Sequence, residues 1–559
     1  MEGFHVPSTT LNDMEVQSIK EKHSHYLWLL MICSTIGGFL FGYDTGVISG
    51  VLVLIKSPDV FGLSIFQSES VVSAAILGAI VGASLSSFSN HIFGRKPVIL
   101  LSSFLFTLGS LLMGVANTYE VLLCGRFIVG LGLGFSSMTV PLYIAEISPP
   151  RIRGRLVSLN TVLVTGGQFF ACILSALLST KAKGWRYLLG IGAVPAGIQF
   201  CGFLMLPESP RFLITKKSQH SEAFAALIKI RGTEDVTEEF DQILNEVKKN
   251  DRDLPRTSVW CELGRGPVLR SLVLGCLLNA LQQFSGINTV MYYGATIIQI
   301  AGFNEPFVAI WMAALISFSN FIFTFVGLHL VDRLGRRVLT LCSLAGVVLF
   351  LFALGCSFYF AHTQSAPVLG AGACGHAGTC FDCVSNELCG FCIESRPAAP
   401  PLQMNTNLCL LGNRTSDVFG ICAQGNWSYG NCVNESKLPG YLILFALFMY
   451  LAFFASGMGP MPWTINSEIY PLAIRSYALS ISTTVNWFSN LIMSFTFLSM
   501  IQSLAPYGAF WLYGIIALAG WMYLYHALPE TKGLPLEAIQ NLFTRGRRKG
   551  RKEYDQIEH

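Results

Sequence analysis

Gly94-Arg95-Lys96 and Gly335-Arg336-Arg337 are two short basic stretches of the same pattern, 241 residues apart. A second repeated motif, Pro207-Glu208-Ser209 and Pro529-Glu530-Thr531, recurs after 322 residues. The difference between the two spacings is close to the length of one polar, cysteine-rich stretch at 362–438. Two copies of one unit, with a single insertion in the second copy, are typical of transporters built from related halves.

The composition places these halves in a membrane. The chain has 559 residues, of which 52% are hydrophobic and 13% charged, and its mean hydropathy is +0.53. Such a chain is too apolar for a soluble two-domain protein. We expect an all-α membrane protein with twelve transmembrane helices in two six-helix halves, because twelve apolar stretches can each cross ~30 Å of hydrocarbon. The predicted spans are 27–52, 71–89, 98–117, 121–144, 157–179, 186–206, 270–299, 306–331, 338–361, 439–466, 474–500 and 508–528.

Basic residues predict the orientation. The central linker at 207–269 holds ten Lys or Arg, whereas the insertion at 362–438 holds three. The linker is therefore expected in the cytoplasm and the insertion outside. No signal peptide is expected at the start of the chain. The predicted organisation is a cytoplasmic tail at 1–26, a first half at 27–206, the linker, a second half at 270–528 that contains the insertion, and a basic cytoplasmic tail at 529–559.

Cysteines are concentrated in the insertion, which holds eight of the 16. An even, dense set in an extracellular segment predicts up to four disulfides, although the pairing cannot be chosen from sequence. Zinc binding is the alternative for the two Cys-x-x-Cys pairs. Three glycosylation sequons lie in the same stretch. The disulfide candidates are Cys374, Cys380, Cys383, Cys389, Cys392, Cys409, Cys422 and Cys432, and the glycosylation candidates are Asn413, Asn426 and Asn434.

Two ionisable side chains within the predicted spans stand out. Asp44 lies well inside the first span, and Arg126 lies near the start of the fourth. Charges at membrane depth are costly, so such residues usually face a water-filled path or a partner. A structural ion pair, or a snorkelling arginine with an aspartate at a helix end, would explain the same residues, and spacing alone leaves both interpretations open. Beside Asp44, glycines recur every fourth residue, which favours close helix packing over ligand contact. They are Gly38, Gly42, Gly46 and Gly50.

The densest polar cluster is Gln282-Gln283-Phe-Ser-Gly-Ile-Asn288-Thr-Val-Met-Tyr292 in the seventh span. In a continuous helix Gln282 and Tyr292 would lie within about 80° of one face, and Gly286 permits a break. Amides donate and accept at once, which suits a substrate covered in hydroxyls. Hydrogen bonding between helices would also explain each single amide. Further amides and two aromatic faces for a polyol ring are Gln168, Asn320, Trp463, Asn486 and Trp487.

Together these motifs resemble the sugar porter branch of the major facilitator superfamily, over about residues 27 to 540. The resemblance rests on the Gly-Arg-Lys and Gly-Arg-Arg turns, the Pro-Glu-Ser-Pro-Arg and Pro-Glu-Thr-Lys-Gly ends of the halves, and Gln-Gln-Phe-Ser-Gly-Ile-Asn. Phe-Gly-Tyr-Asp-Thr-Gly-Val-Ile-Ser-Gly at 41–50 and the long cysteine-rich loop are similar to those of proton-coupled myo-inositol transporters. Cys389-Gly-Phe-Cys392 resembles a plexin-semaphorin-integrin module.

The resemblance implies roles for individual residues. Asp44 would carry the proton and pair with Arg126, because passive glucose carriers have Asn at that position. The residues implied in polyol binding are Gln168, Gln282, Gln283, Asn288, Tyr292, Asn320, Trp463, Asn486 and Trp487. The residues implied in a cytoplasmic ion-pair network that stabilises the outward-open state are Arg95, Glu146, Arg153, Asp332, Arg336, Glu468 and Arg475. Two positions depart from the family: His91 replaces an Asp, so the first-half network is expected to be weaker or pH-sensitive, and Ala455 replaces the Glu of passive hexose carriers.

The implied function is a proton-coupled symporter that imports myo-inositol, or a close cyclitol, by alternating access. It implies myo-inositol and protons as cotransported substrates, contact with membrane lipid, function as a monomer, and no cofactor, metal, nucleic acid or enzymatic activity; a partner of the outer loop is not indicated. A facilitative hexose carrier and a non-transporting polyol sensor are the alternatives. The expected location is the plasma membrane, with a vacuolar or other endomembrane as the alternative.

Overall fold

A computed structural model describes most of the membrane-embedded chain. The described residues are 25–57, 60–149, 152–216, 219–253, 259–303, 305–365, 437–471 and 474–532, with short pieces of the insertion between 367 and 428 and of the end of the chain at 539–543. Within these residues, ten helices are each long and apolar enough to cross a membrane. One of these ten helices contains the last two predicted spans. The seventh predicted span is broken into three shorter helices and is not among the ten, so all twelve predicted spans are accounted for.

The first half contains six spans, in the predicted order. They are span 1 (His25–Ile55), span 2 (Ile65–Ile92), span 3 (Arg95–Gly114), span 4 (Tyr119–Ile147), span 5 (Arg153–Leu178) and span 6 (Gly184–Ile191 with Ala193–Met205). Spans 2 and 4 begin earlier than predicted because a polar cap, and not the apolar run, sets the first turn. At span 2, Ser64 accepts from the N–H of Gln67 and its own N–H donates to the Gln67 side chain, at 3.2 and 3.0 Å. This capping box starts the helix six residues before the predicted apolar stretch.

The linker folds into short helices on one end of the bundle. They are Pro210–Thr215, His220–Arg231, Thr237–Asp253 and Val259–Leu263. Ala223, Ala226 and Leu227 are buried in a small apolar cluster of their own. Arg231 attaches this cluster to the bundle, because it donates to the carbonyl oxygen of Ile147 at the end of span 4, 2.8 Å away. We call the linker end of the bundle the inner face, and the end that carries the insertion the outer face.

The second half contains the other six spans. They are span 7 (Gly266–Phe284, Ile287–Tyr292 and Gly294–Ile300), span 8 (Pro306–Leu334), span 9 (Arg336–Thr363), span 10 (Leu438–Phe453, a π-helical turn Phe454–Met458, and Met461–Ile469), and spans 11 and 12, which form one helical run (Arg475–Ala527). The predicted gap between spans 11 and 12 is a single break at Ala505, where φ is +59°. Pro506 follows it, and proline disfavours helical geometry in the preceding residue.

Glycines set the closest helix contact in the first half. A Cβ on Gly42 would lie 1.8 Å from the carbonyl oxygen of Val164 in span 5, and one on Gly46 would lie 2.4 Å from that of Gln168. Spans 1 and 5 therefore approach to a distance that only glycine allows at these positions. The predicted packing role of the glycine face in span 1 is confirmed.

The insertion contains a small four-stranded sheet. The strands are β1 (Leu369–Gly370), β2 (Cys389–Ile393), β3 (Asn407–Leu411) and β4 (Asn426–Ser428), in the order β1-β3-β2-β4. Strand β2 runs antiparallel to both β3 and β4, with Phe391 opposite Cys409 and Ser428. Strands β1 and β3 are parallel.

Disulfides cross-link this sheet. Cys374 is bonded to Cys389, and Cys383 to Cys409, and these cysteines are buried. Cys380 is also disulfide-bonded. The zinc alternative is wrong for Cys383 and Cys389, because their sulfurs are engaged in disulfides. Cys422, Cys432, Asn413, Asn434 and the side chains of Cys392 and Asn426 lie outside the described residues.

Candidate functional site

A buried ion pair lies in the middle of the first half. A guanidinium nitrogen of Arg126 in span 4 donates to the carboxylate of Asp44 in span 1, and both residues are buried. The Arg126 Nε donates to the carbonyl oxygen of Val71 in span 2, 3.2 Å away. Arg126 therefore joins three spans of one half. Removal of either partner would leave an unpaired buried charge, which is strongly unfavourable.

The ion pair faces a small cavity that residues of both halves line. Tyr292 and Trp487 come from the second half, and Asp44, Thr45 and Arg126 from the first. The remaining lining residues are Phe41, Ala75, Ile76 and Leu133. The cavity brings the predicted proton-coupling pair next to two of the predicted polyol-binding residues.

Two second-half side chains connect this cavity to the rest of the site. The Tyr292 hydroxyl accepts from Asn490 in span 11 at 3.2 Å, and Tyr292 lines the cavity together with Thr45, the neighbour of Asp44. Trp487 packs on Phe41 with ring centroids 5.6 Å apart. The buried Trp487 Nε1 has no hydrogen-bond partner within the described chain. Buried polar atoms are normally satisfied, so this N–H is free to donate to a bound substrate or water.

Four predicted amides form one hydrogen-bonded chain. Asn288 donates to Gln283 (2.8 Å), Gln283 donates to Asn486 (3.0 Å), and Asn486 donates to Gln282 (2.9 Å). This network joins span 7 to span 11. It contains both donors and acceptors and no charge, which matches hydroxyl groups and not a strong anion.

The chain of amides ends on the backbone of span 10. Gln282 donates to the carbonyl oxygens of Met458 and Gly459, at 2.9 and 2.8 Å. Pro462 has no N–H, so in a regular helix the carbonyl of Met458, four residues earlier, would lack its partner. The π-helical turn Phe454–Met458 and two nearby prolines thus provide an acceptor that Gln282 uses. Ala455 is buried within this turn.

A break in span 7 separates Tyr292 from Gln282 and Gln283. Gly286 has a φ of +86°, and a Cβ there would contact the ring of Tyr513. The helix therefore stops and restarts at Ile287. The estimate of 80° between Gln282 and Tyr292 assumed a continuous helix, and it does not hold. Gln282 instead contacts span 10, and Tyr292 contacts Asn490 beside the Asp44 cavity.

The other predicted binding residues are placed apart from this chain. Asn320 in span 8 donates to Gln168 in span 5 at 2.8 Å, so this amide pair links the two halves. Trp463 lies on Met461–Ile469 of span 10 and is 38% exposed. It does not contact the amide chain through any hydrogen bond that the structure describes.

Hydrogen bonds between the halves lie in the middle and outer parts of the bundle. Besides Asn320 with Gln168, the hydroxyl of Ser317 and the thiol of Cys172 are 3.2 Å apart, and Ala295 donates its N–H to Ser49 at 3.0 Å. The ion pairs described at the inner face each lie within one half. Within the described residues, hydrogen bonds therefore join the two halves in the middle and on the outer side, and not at the inner face.

The predicted inner-face residues form two equivalent clusters. Arg95 pairs with Glu146 at 2.7 Å in the first half, and Arg336 with Glu468 at 3.1 Å in the second. Arg475 donates to the carbonyl oxygen of Tyr470. The side chains of Arg153 and Asp332 lie outside the described residues, and His91 is exposed at the end of span 2.

A further carboxylate completes each inner-face cluster. Glu208 accepts from the backbone N–H groups of Arg95 and Lys96 at the start of span 3, at 3.1 and 3.0 Å. Glu530 does the same for Arg336 and Arg337 at the start of span 9. Burial raises the pKa of Glu208, although the backbone donors and Arg95 partly oppose this. Each Pro-Glu motif therefore caps a helix more than 100 residues away in the chain.

Sequence reasoning missed two amides of the site. Asn490 contacts Tyr292, and Asn279 donates to the carbonyl oxygen of Ser482 at 3.1 Å while lying next to Asn486. Asn279 precedes the Gln282-Gln283 pair by about one helical turn, and Asn490 follows Asn486 by one turn. Helical spacing from the predicted residues was a signal that could have identified both.

A family model, named relatives and a solved structure all indicate the same family for this chain. The chain matches the family model "Sugar (and other) transporter" over residues 30–394 and 411–543. It is 43% identical to the human proton myo-inositol cotransporter over 93% of this chain and 82% of the relative. It is 36% identical to the Arabidopsis thaliana probable inositol transporter 2 over 93% of this chain and 92% of the relative. The solved proton:xylose symporter XylE, a protein from E. coli, is 25% identical with a TM-score of 0.68, over 93% of this chain and 100% of that chain.

Proposed function

The chain belongs to the family of sugar and other transporters, in the major facilitator superfamily, and from that membership we propose that it is a proton-coupled symporter of myo-inositol or a close cyclitol. It imports the polyol by alternating access, in which the two halves open in turn to either side of the membrane. The observation that carries the proposal is the cavity that the Asp44–Arg126 pair shares with Tyr292 and Trp487 of the second half.

The ion pair supplies a reason for proton coupling. With Asp44 ionised, the pair holds span 1 to span 4. Protonation of Asp44 removes its charge and weakens the bond to Arg126. Because Tyr292 lines the same cavity as Asp44 and Arg126, a rearrangement of the pair reaches span 7, which holds the amides. The proton and the polyol therefore act on adjoining elements of one cavity.

The amide chain supports a neutral polyol as the substrate. Gln282, Gln283, Asn288 and Asn486 offer donors and acceptors without charge. The names of the relatives, proton myo-inositol cotransporter and probable inositol transporter 2, support a cyclitol as the substrate of this chain. Trp487 contributes an aromatic face and a free N–H, and Gln168 with Asn320 adds an amide pair that links the two halves.

Transport by purified protein in lipid vesicles tests the proposal. Radiolabelled myo-inositol should accumulate above its external concentration when the outside is acidic, and a protonophore should abolish the accumulation. Equilibration that ignores the pH gradient would instead indicate a facilitative carrier. Competition by unlabelled glucose in the same vesicles would show whether that carrier prefers hexoses.

The proposal includes the placement of the protein in the cell. We propose that the linker faces the cytoplasm, because it holds ten Lys or Arg against three in the insertion. The insertion then faces outside the plasma membrane and carries glycans beside its disulfides. The carrier acts as a monomer in lipid and transports its substrates without chemical change.

A further inference from the structure

Glu69 joins the outer ends of the two halves. It lies near the start of span 2, and its side chain is buried. Its Oε1 accepts from the backbone N–H of Ser499 at 2.8 Å, and its Oε2 accepts from the Ser499 hydroxyl at 2.7 Å. Ser499 lies in span 11, near the break at Ala505 on the outer side. One carboxylate of the first half is therefore bound at both oxygens by one residue of the second.

The partners of Glu69 distinguish it from other carboxylates of the bundle. Glu146 pairs with Arg95 and Glu208 caps span 3, so the partners described here for both carboxylates lie in their own half. Every hydrogen bond that the structure describes for Glu69 comes from the opposite half. Burial of a carboxylate is unfavourable unless hydrogen bonds compensate for the lost water. Nothing described within the first half provides that compensation, so the position of Glu69 depends on contact between the halves.

Neighbouring contacts close the same seam. Phe66, one turn before Glu69, packs edge-on against Phe495 with ring centroids 5.6 Å apart. Deeper in the bundle, Ser49 of span 1 accepts from the N–H of Ala295 in span 7. These contacts all join the two halves on the outer side. Separation of the halves there must break the Glu69–Ser499 contact.

We propose that Glu69 and Ser499 form an outer latch that stabilises the state closed to the outside. Hydrogen bonds to an ionised group are about twice as strong as neutral ones, so the latch favours closure by more than an ordinary contact. In the open state the carboxylate must be bound by water instead. The inference rests on the proposed function only in that the two halves move during alternating access. It is independent of the identity of the polyol and of the proton carrier.

Distance measurement between the halves tests the latch. Spin labels would be attached to p-acetylphenylalanine introduced at positions 60 and 502, which are exposed on the outer side of either half, so that the native cysteines stay unmodified. Electron–electron resonance on the purified protein in lipid discs then reports closed and open populations. In Glu69→Gln, an NH2 group replaces one of the two oxygens that accept from Ser499. Ser499→Ala removes the hydroxyl that donates to Glu69. Each should raise the open-to-closed ratio by roughly tenfold, the value of one hydrogen bond to a charged group.

Two matched variants serve as controls. The Ser70 hydroxyl bonds the carbonyl of Phe66 in its own span, and the Ser503 hydroxyl bonds the carbonyls of Ser499 and Met500 in its own span. Ser70→Ala and Ser503→Ala should leave the distances unchanged, and an equal shift in them would overturn the proposal. An unchanged distribution in Glu69→Gln, or in Ser499→Ala should Glu69→Gln not fold, would also overturn it. The distances are measured without inositol or a pH gradient, so failed inositol uptake would count against the proposed function alone.

Discussion

The side-chain amide of Gln283 donates a hydrogen bond to Oδ1 of Asn486, 3.0 Å away, and so ties span 7 to span 11. Asn288 donates to Gln283, and Asn486 donates to Gln282, which fixes the orientation of each amide. Because every member has an assigned donor and acceptor end, the chain acts as one unit. A bound polyol must replace or extend bonds that already exist.

This arrangement predicts the effect of truncating the amides. Gln282→Ala and Asn288→Ala should each weaken myo-inositol binding by about 1 to 3 kcal/mol, because a buried polar partner is left unsatisfied. Calorimetry on the purified protein measures the change. Ser357→Ala is the control, since the Ser357 hydroxyl bonds within its own helix. Wild-type affinity in both amide variants would remove these residues from the binding site.

The sequence was sufficient to predict the helices and less so the site. An apolar stretch of about 20 residues is detectable without any partner, and for this reason span 8 at 306–331 was predicted within three residues of the observed Pro306–Leu334. The break in span 7 depends on Gly286 adopting a positive φ, whereas Gly275 in the same span remains helical. The sequence indicated that Gly286 permits a break, but composition alone does not show that the helix breaks at Gly286 and continues through Gly275.

Contacts between distant residues were the least predictable. The acceptor for Gln282 is the carbonyl of Met458, 176 residues away, and it is available because Pro462 lacks an N–H. The partner of Glu69 is 430 residues away. Neither pairing leaves a periodic pattern in either segment, so both required the folded arrangement.

Close packing of span 1 on span 5 predicts a steric effect at Gly42. Gly42→Ala places a Cβ 1.8 Å from the Val164 carbonyl oxygen, so it should lower stability by about 1 to 3 kcal/mol or more. Gly197→Ala in span 6 is the matched control, because its Cβ would meet no atom within 4 Å. It should be neutral or stabilise by up to about 1 kcal/mol, as alanine favours helix over glycine. Equal melting temperatures for the two variants in detergent would contradict the packing described here.

The inner-face carboxylate Glu208 predicts a pH dependence of stability. Burial raises its pKa above the ordinary value of 4.5, so the folded protein binds more protons than the unfolded chain as pH rises through this window. Stability should therefore fall between about pH 4.5 and the raised pKa. Thermal unfolding from pH 4 upward should show this loss in the wild type, while Glu208→Gln, which is neutral at every pH like the protonated carboxyl, should be nearly flat across the window. The same slope in both proteins would assign the dependence to another group.

The insertion is predicted to support folding and delivery more than binding. Its disulfide-linked sheet has its own buried cluster, and it supplies none of the amides of the site. Replacement of residues 374–432 by a short flexible linker should leave myo-inositol affinity near that of the full chain in the protein that reaches the membrane. Surface biotinylation normalises uptake to the amount delivered. A deletion that is delivered normally and does not bind inositol would show that the insertion contributes to the site.

The ion pair of the first half leads to the most specific prediction about coupling. Asp44→Asn resembles the protonated state, so accumulation driven by a pH gradient should be abolished, while inositol binding and exchange across the vesicle membrane persist. The variant should also lose stability, by about 3 to 5 kcal/mol, because Arg126 remains buried with only the carbonyl of Val71 as a described partner. Gln199→Leu, at a buried polar site of span 6 away from the cavity, controls for destabilisation without loss of the carboxylate. It should reduce the melting temperature and retain uphill transport. Normal pH-driven accumulation by Asp44→Asn would mean that the proton travels through another group, and His91 and Glu208 would be tested next.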